Sequence, residues 1–376
     1  MLYFLSELRD WWSPFNLFRY VTFRALAGAG SAFLVCLLLG PWTIRALQRL
    51  RQPSRLDLVP ALHAVHRKKN VPTMGGLLIL GATTLATLLW AIPTNALVLM
   101  CLMVTWVMGA VGFADDYLKV TERNRHGLAA RWKLLAQTLC ALVLVSALWG
   151  VPEWHPMASQ LALPFMKSPL ISDMGFIPSM LFALVVLVGC TNAVNLTDGL
   201  DGLAVGCTGS VAMSYLVLSY CTGHAVFARY LQIPYVPGAA ELAVFCGCLL
   251  GACLGFLWWN CQPARVFMGD TGSLALGGAI ATVAILINQE ITLVLVGGIF
   301  VVEALSVILQ VAYFKWTGGR RLFRCAPIHH HFELIAQEQL RQEGRIAELA
   351  EARVTTRLWI VSLILALAGV ATLKIR

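Results

Sequence analysis

Apolar runs of about 20 residues recur along this chain, and that recurrence constrains its fold more than any single residue does. They fall at roughly 25–40, 74–92, 95–113, 134–151, 177–194, 203–221, 240–259, 274–288, 291–313 and 357–373. The bilayer core offers no water to backbone N–H and C=O groups, so each run must satisfy its own as a helix. About ten transmembrane helices in a single bundle follow, most near the length a bilayer needs, with 274–288 short and rich in glycine at its start. Composition agrees: 59% of residues are hydrophobic, 12% are charged and the mean hydropathy is +0.74. Soluble domains carry about twice that share of charge. The expected class is an all-α polytopic membrane protein, with residues 1–376 forming one integral membrane domain. The first long run, near Ala25, lacks a cleavage region and is expected to stay as a helix. Residues 1–20 mix Trp11, Trp12, Phe15, Phe18 and Tyr20 with Arg9, Asp10 and Arg19, which suits a short helix lying at the membrane interface.

Lysine and arginine set the orientation. Arg45, Arg49, Arg51, Arg55, Arg67, Lys68 and Lys69 follow the first span, and Lys119, Arg123, Arg125, Arg131 and Lys133 follow the third. Arg265 follows the seventh, and Lys315, Arg320, Arg321, Arg324, Arg341, Arg345 and Arg353 follow the ninth. The opposite side holds only Arg9, Arg19, Arg24, Lys167, Arg229, Lys374 and Arg376. Both termini are therefore expected outside and the basic loops in the cytoplasm. The net charge of +9 reflects this topology rather than an affinity for nucleic acid. Most of the 11 cysteines lie within apolar runs and show no paired metal spacing, so they read as small hydrophobes.

The same parity places every acidic or histidine cluster on the cytoplasmic side. Asn195 to Leu203 reads Asn-Leu-Thr-Asp-Gly-Leu-Asp-Gly-Leu, setting Asp198 and Asp201 where the chain turns around. A glycine follows each acid, so the backbone can bend and a bulky polar ligand can come close. A plain interhelical turn capped by two aspartates would read the same way. Asp115 and Asp116 end the third span, where adjacent helical residues diverge by about 100°. One carboxylate can then face a metal and the other a substrate, or both can be a solvated helix end. Asp270 sits between Gly269 and Gly272, with Ser273 opening the eighth span, so backbone amides can point at an anion there. Phe267 is a stacking surface for a base or an interface anchor.

Carboxylates from separate loops, with no cysteine nearby, suit magnesium, which takes oxygen ligands and completes its shell with phosphate and water. Pro327-Ile-His-His-His331 offers three imidazoles; adjacent histidines rarely converge on one ion, so hydrogen bonding to phosphate or an acid is the better reading. Pro72-Thr-Met-Gly-Gly76, preceded by Lys68 and Lys69, brings small residues and positive charge to the second span. Lys119 and Lys133 add more, although attraction to lipid head groups explains many basic residues on this face. Glu303 lies deep inside a span, where an acid is a functional candidate. It shares a helix face with Gln310 and reads first as a packing or hydrogen-bonding residue.

Taken in order, Pro72 to Gly76, Phe113-Ala-Asp-Asp-Tyr117, Asn192 to Gly202, Val266 to Ser273 and Ala326 to His331 resemble the signatures of bacterial phospho-N-acetylmuramoyl-pentapeptide transferases, the MraY translocases. These belong to the polyprenyl-phosphate N-acetylhexosamine-1-phosphate transferase superfamily. The resemblance implies magnesium-dependent transfer of phospho-MurNAc-pentapeptide from UDP-MurNAc-pentapeptide to undecaprenyl phosphate, giving lipid I and UMP. It further implies a homodimer of ten-helix bundles in the cytoplasmic (inner) membrane, among membrane lipids, with a cytoplasmic cleft. By the same resemblance Asp270 and Asp116 are the magnesium site and Asp115 the acid that activates the lipid phosphate. His329 and His330 match the essential histidines. Lys68, Thr73, Asn195, Asp198, Asp201, Asn260, Phe267, Gly269 and Gln310 match the nucleoside and diphosphate region, with Phe267 stacking on uracil. Lys119 and Lys133 are expected phosphate contacts, and Ser273 and His331 are expected to bind substrate beside their motif neighbours.

Residues 335–353 are longer and more charged than the family pattern. With Leu340, Ile346 and Leu349 among acidic and basic neighbours, they read as an extra amphipathic cytoplasmic helix. Two alternatives stand beside the main reading. A sister transferase would use a UDP-N-acetylhexosamine, against which the triple histidine argues. A cation transporter would carry its acids near the bilayer midplane, not at helix ends on one face.

Overall fold

A computed structural model describes residues 1–50, 71–121, 127–347 and 349–374. Helices dominate the described residues, nine of them long and apolar enough to cross a membrane, with one isolated β-bridge between Leu161 and Ile171. The first four helices are α1 (Val21–Gln48), α2 (Gly76–Trp90), α3 (Ala96–Val120) and α4 (Ala130–Trp149). Short α5 (His155–Ser159) leads to α6 (Phe176–Thr197) and α7 (Leu203–Thr222), then short α8 (Ala225–Leu231) to α9 (Ala240–Asn260) and α10 (Gly269–Leu286). After α11 (Glu290–Val296) come α12 (Gly298–Trp316), α13 (Ile328–Gln342) and α14 (Leu349–Ala371). Each apolar run read from the sequence falls on a helix. Only α2, at 15 residues, is shorter than a full span.

The expected ninth span is two helices, α11 and α12, meeting at Gly297–Gly298. Glycine is apolar enough to leave hydropathy unbroken, yet it contributes least to helix continuity. The helix expected over 335–353 is also divided differently. α13 begins at Ile328 and takes in the three histidines; the chain turns at Gly344 (φ +67°), and Leu349 already belongs to α14. Residues 1–20 form two 3-10 stretches, Leu2–Asp10 and Ser13–Arg19. They lie against the ends of α1 and α2, with Phe18 stacked on Trp90 and the Arg24 guanidinium over Tyr3.

α10 is the centre of the bundle, and every one of its residues is buried. It packs against α2, α3, α6 and α7, and small residues let those backbones close in. A Cβ at Gly76 would overlap the backbone of Gly272, and one at Gly112 would overlap the Asp270 carbonyl. Between helices in lipid, dispersion contacts replace the hydrophobic effect, so such approaches hold the bundle together. They also fix the end of α3, with its two aspartates, against the start of α10.

Candidate active site

Three buried carboxylates meet where α3 ends and α10 begins. Asp115, Asp116 and Asp270 each offer an oxygen within 4.8 Å of the others. Asp116 caps the α10 N-terminus: its Oδ2 accepts from the Thr271 N–H (2.9 Å) and hydroxyl (2.8 Å). Asp115 Oδ1 accepts from Leu128 N (2.8 Å) and pairs with the Lys133 ammonium at 3.0 Å, while Lys119 reaches Asp115 from one turn along α3. Both lysines also reach Asp270 Oδ2, at 2.9 Å from Lys119 and 3.4 Å from Lys133. Three like charges this close require cations between them. Here two ammonium groups supply part of that neutralisation. An all-oxygen donor set of this size also fits a hard divalent cation.

A second strand of backbone walls the cluster. Phe267 N donates to Pro72 O (2.8 Å), Gly75 N to Phe267 O (2.9 Å) and Gly76 N to Met268 O (3.0 Å). This pairing lays Thr73 beside Gly269. Gly269 adopts φ +72°, and a Cβ there would meet both Asp116 Oδ2 and Thr73 Oγ1. Phe267 is half-buried on the rim, whereas Ser273 lies a turn into α10 and is fully buried.

The α6–α7 turn is held from two sides. Asn195 and Asp198 are half-buried at the end of α6. Beyond them, Asp201 Oδ2 accepts from Ala264 N (3.0 Å), and Asn260 Oδ1 accepts from Gly202 N (3.0 Å) while its Nδ2 donates to Val266 O (2.8 Å). Asp201 and Asn260 are thus buried between two loops, joining the α6–α7 turn to the segment that leads into Asp270. From the other side the His329 ring packs on Gly199, where a Cβ would collide with Nε2. His329 is fully buried, and its Nδ1 lies 2.9 Å from Glu303 Oε2. Burial pushes its imidazole below the usual histidine range, although the Glu303 carboxylate pulls the other way. His330 bonds Glu333 at 3.0 Å with its side chain partly exposed.

The pattern of a family described as Glycosyl transferase family 4 matches residues 98–288, from α3 to the end of α10. A protein of Methylacidiphilum infernorum named phospho-N-acetylmuramoyl-pentapeptide-transferase is 48% identical over 380 residues, covering all of both chains. One of the same name from Desulfotalea psychrophila is 49% identical over 99% of each, and one from Thermodesulfovibrio yellowstonii 47% over all of both. The chain belongs to the phospho-N-acetylmuramoyl-pentapeptide-transferase family. The similarity runs along its whole length.

Not every residue singled out from the sequence joins the cluster. Gln310 Oε1 accepts from Leu322 N (3.1 Å) and Phe323 N (2.9 Å), and His331 Nδ1 accepts from Arg324 N (3.2 Å). Both hold the loop between α12 and α13. Lys68 falls outside the described residues.

Sequence reasoning missed Glu351. It is buried at the start of α14, accepts from Asp201 N (2.8 Å) and from Gln262 Nε2 (3.4 Å), and so ties both site loops to the last helix. One turn pair further on, Trp359 Nε1 donates to Gly202 O (3.2 Å). Replacing Glu351 with Ala is expected to cost about 2 kcal/mol, the worth of a buried hydrogen bond to a charged group. Glu351→Gln should recover roughly half of it. Thermal unfolding of the detergent-solubilised protein reads both; equal losses would show that side-chain volume, not the bond to Asp201, is what matters.

Proposed function

We propose that this chain transfers phospho-MurNAc-pentapeptide from UDP-MurNAc-pentapeptide to undecaprenyl phosphate, releasing lipid I and UMP. It acts as a multi-pass homodimer of the bacterial cytoplasmic membrane, with both termini periplasmic and the carboxylate end facing the cytoplasm. The observation that carries the reading is the convergence of Asp115, Asp116 and Asp270, with Lys119 and Lys133, in a chain related end to end to enzymes of that name.

Asp270 and Asp116, with Asp115 beside them, would hold Mg²⁺. Bound there, the ion would supply positive charge to neutralise the diphosphate and the leaving UMP. The rest of the work is positioning. The lysines, already drawn in by Asp115 and Asp270, hold phosphate oxygens of the two substrates side by side. Asp115 orients both ammonium groups and takes the proton of the lipid phosphate when that group arrives protonated. An oxygen of the lipid phosphate then bonds to the sugar-side phosphorus as the bond from that phosphorus to the UMP oxygen breaks. Phe267, half-buried on the rim beside Thr73, offers its ring to uracil. Asn195 and Asp198, half-buried at the end of α6, would contact the diphosphate and sugar.

Purified protein given UDP-MurNAc-pentapeptide, undecaprenyl phosphate and Mg²⁺ should release UMP. Release with UDP-N-acetylglucosamine in its place, and none with the MurNAc substrate, would move the assignment to the sister transferases. Release with neither would remove it.

A further inference from the structure

We propose that Glu303 is a positioning residue for the transfer reaction: it fixes the His329 ring on Gly199 and thereby sets the place of Asp198. This deepens the transferase reading above and rests on it.

Two helices and a turn meet in this contact. Glu303 stands on α12, inside the bundle and 1% exposed; His329 opens α13; Gly199 lies in the α6–α7 turn beside Asp198. Glu303 Oε2 lies 2.9 Å from His329 Nδ1 and 3.4 Å from the His329 backbone N–H, so one carboxylate oxygen receives both. An acid in that place makes Nδ1 the protonated nitrogen. The Nε2 lone pair then faces Gly199 and has no hydrogen-bond partner among the described residues. The ring is thus a spacer of fixed orientation. Without an acceptor at Nδ1 it would turn, and Gly199, in van der Waals contact with it, would move with Asp198. A shift of about 1 Å in a substrate-positioning group is enough to cost roughly a hundredfold in rate.

Protonation would put a hydrogen on Nε2 against Gly199. The charged or titratable groups around the ring are Glu303 from α12, His330 and Glu333 from α13, and Asp198 next to the glycine. Glu303 is the anion that most favours the doubly protonated ring, and burial opposes it. Removing the charge while keeping an acceptor should therefore extend activity to lower pH.

The test uses the full-length protein, with UMP release as the rate. Glu303→Gln keeps an oxygen for Nδ1–H, so kcat should stay within about threefold of the parent while the acid limb of the pH profile moves down. Glu303→Leu removes the acceptor and should lower kcat by about a hundredfold. Gly199→Ala, with Glu303 intact, should match it, and the double variant should be no worse than either, because all three changes displace one ring. Histidine NMR on isotope-labelled protein, with His329→Asn to assign the signal, should show Nδ1 protonated in the parent and not in Glu303→Leu. Wild-type rates in Glu303→Leu, additive losses in the double variant, or an unchanged acid limb in Glu303→Gln would overturn the proposal. A parent protein that releases no UMP would instead sink the transferase reading, and the NMR comparison would still decide whether Glu303 sets the ring.

Discussion

Asp270→Asn is expected to lower turnover by about a thousandfold or more, on the scale seen when a group that stabilises transition-state charge is removed. Asparagine keeps the shape at the second residue of α10 and loses the charge. Three things depend on that charge. The carboxylate trio spans 4.8 Å and would lose a ligand. Lys119 and Lys133, at 2.9 and 3.4 Å from Asp270 Oδ2, would lose the carboxylate they share and be drawn toward Asp115. The bundle itself should stand, because Asp116 rather than Asp270 receives the Thr271 amide and hydroxyl at the α10 N-terminus. Melting temperature should therefore hold while UMP release collapses. Mn²⁺ titration followed by electron paramagnetic resonance should show weakened binding independently of turnover. A variant that keeps the parental rate would remove Asp270 from the role given to it here.

The spans were legible because a membrane leaves a helix no alternative, and apolar length is the only signal that requires. The break at Gly297–Gly298 was not, since two glycines in an apolar run change helix continuity without changing hydropathy. Nor was the division at Gly344, because the amphipathic pattern of 335–353 runs across a turn that positive φ alone produces. In the site, Asp115, Asp116 and Asp270 stood out because acids are scarce in this chain and each ends or opens a span. Asp201 and Asn260 show the limit of that argument. Their side chains suit a polar ligand, and they suit equally well the pairing of two loops, which is where they are found. Glu351 and the Glu303–His329 contact depend on helices that meet only in the folded bundle, so no local spacing announces them. The Arg24–Glu241 pair, 217 residues apart in the chain, is the extreme case.

Arg24→Leu should destabilise the protein by about 3–5 kcal/mol, the usual cost of stripping one partner from a buried ion pair. Arg24 read from sequence as one of the few basic residues outside the inner loops. In the fold it is 1% exposed and forked onto Glu241, itself 5% exposed, with Nη1–Oε2 at 2.7 Å and Nη2–Oε1 at 2.6 Å. Nη1 also donates to Trp90 O (3.1 Å), and Glu241 Oε2 accepts from Ile92 N (2.9 Å). The pair therefore joins the start of α1, the turn after α2 and the start of α9. Leucine would strip the buried Glu241 carboxylate of its forked guanidinium, leaving it the Ile92 amide and the more distant N-terminal ammonium, and in a low-dielectric interior that charge is expensive. Arg24→Leu with Glu241→Leu removes both charges and should recover most of the loss, since a well-packed apolar pair is often as stable as the ions it replaces. α2 separates this end of the bundle from the carboxylates by about 22 Å of helix. The folded fraction of either variant should accordingly keep its kcat. Unfolding in mixed micelles reads the stability and UMP release per folded molecule reads the rate. If the double variant proved as unstable as Arg24→Leu, the strength of this corner would lie in the Trp90 and Ile92 bonds and not in the pairing of charges.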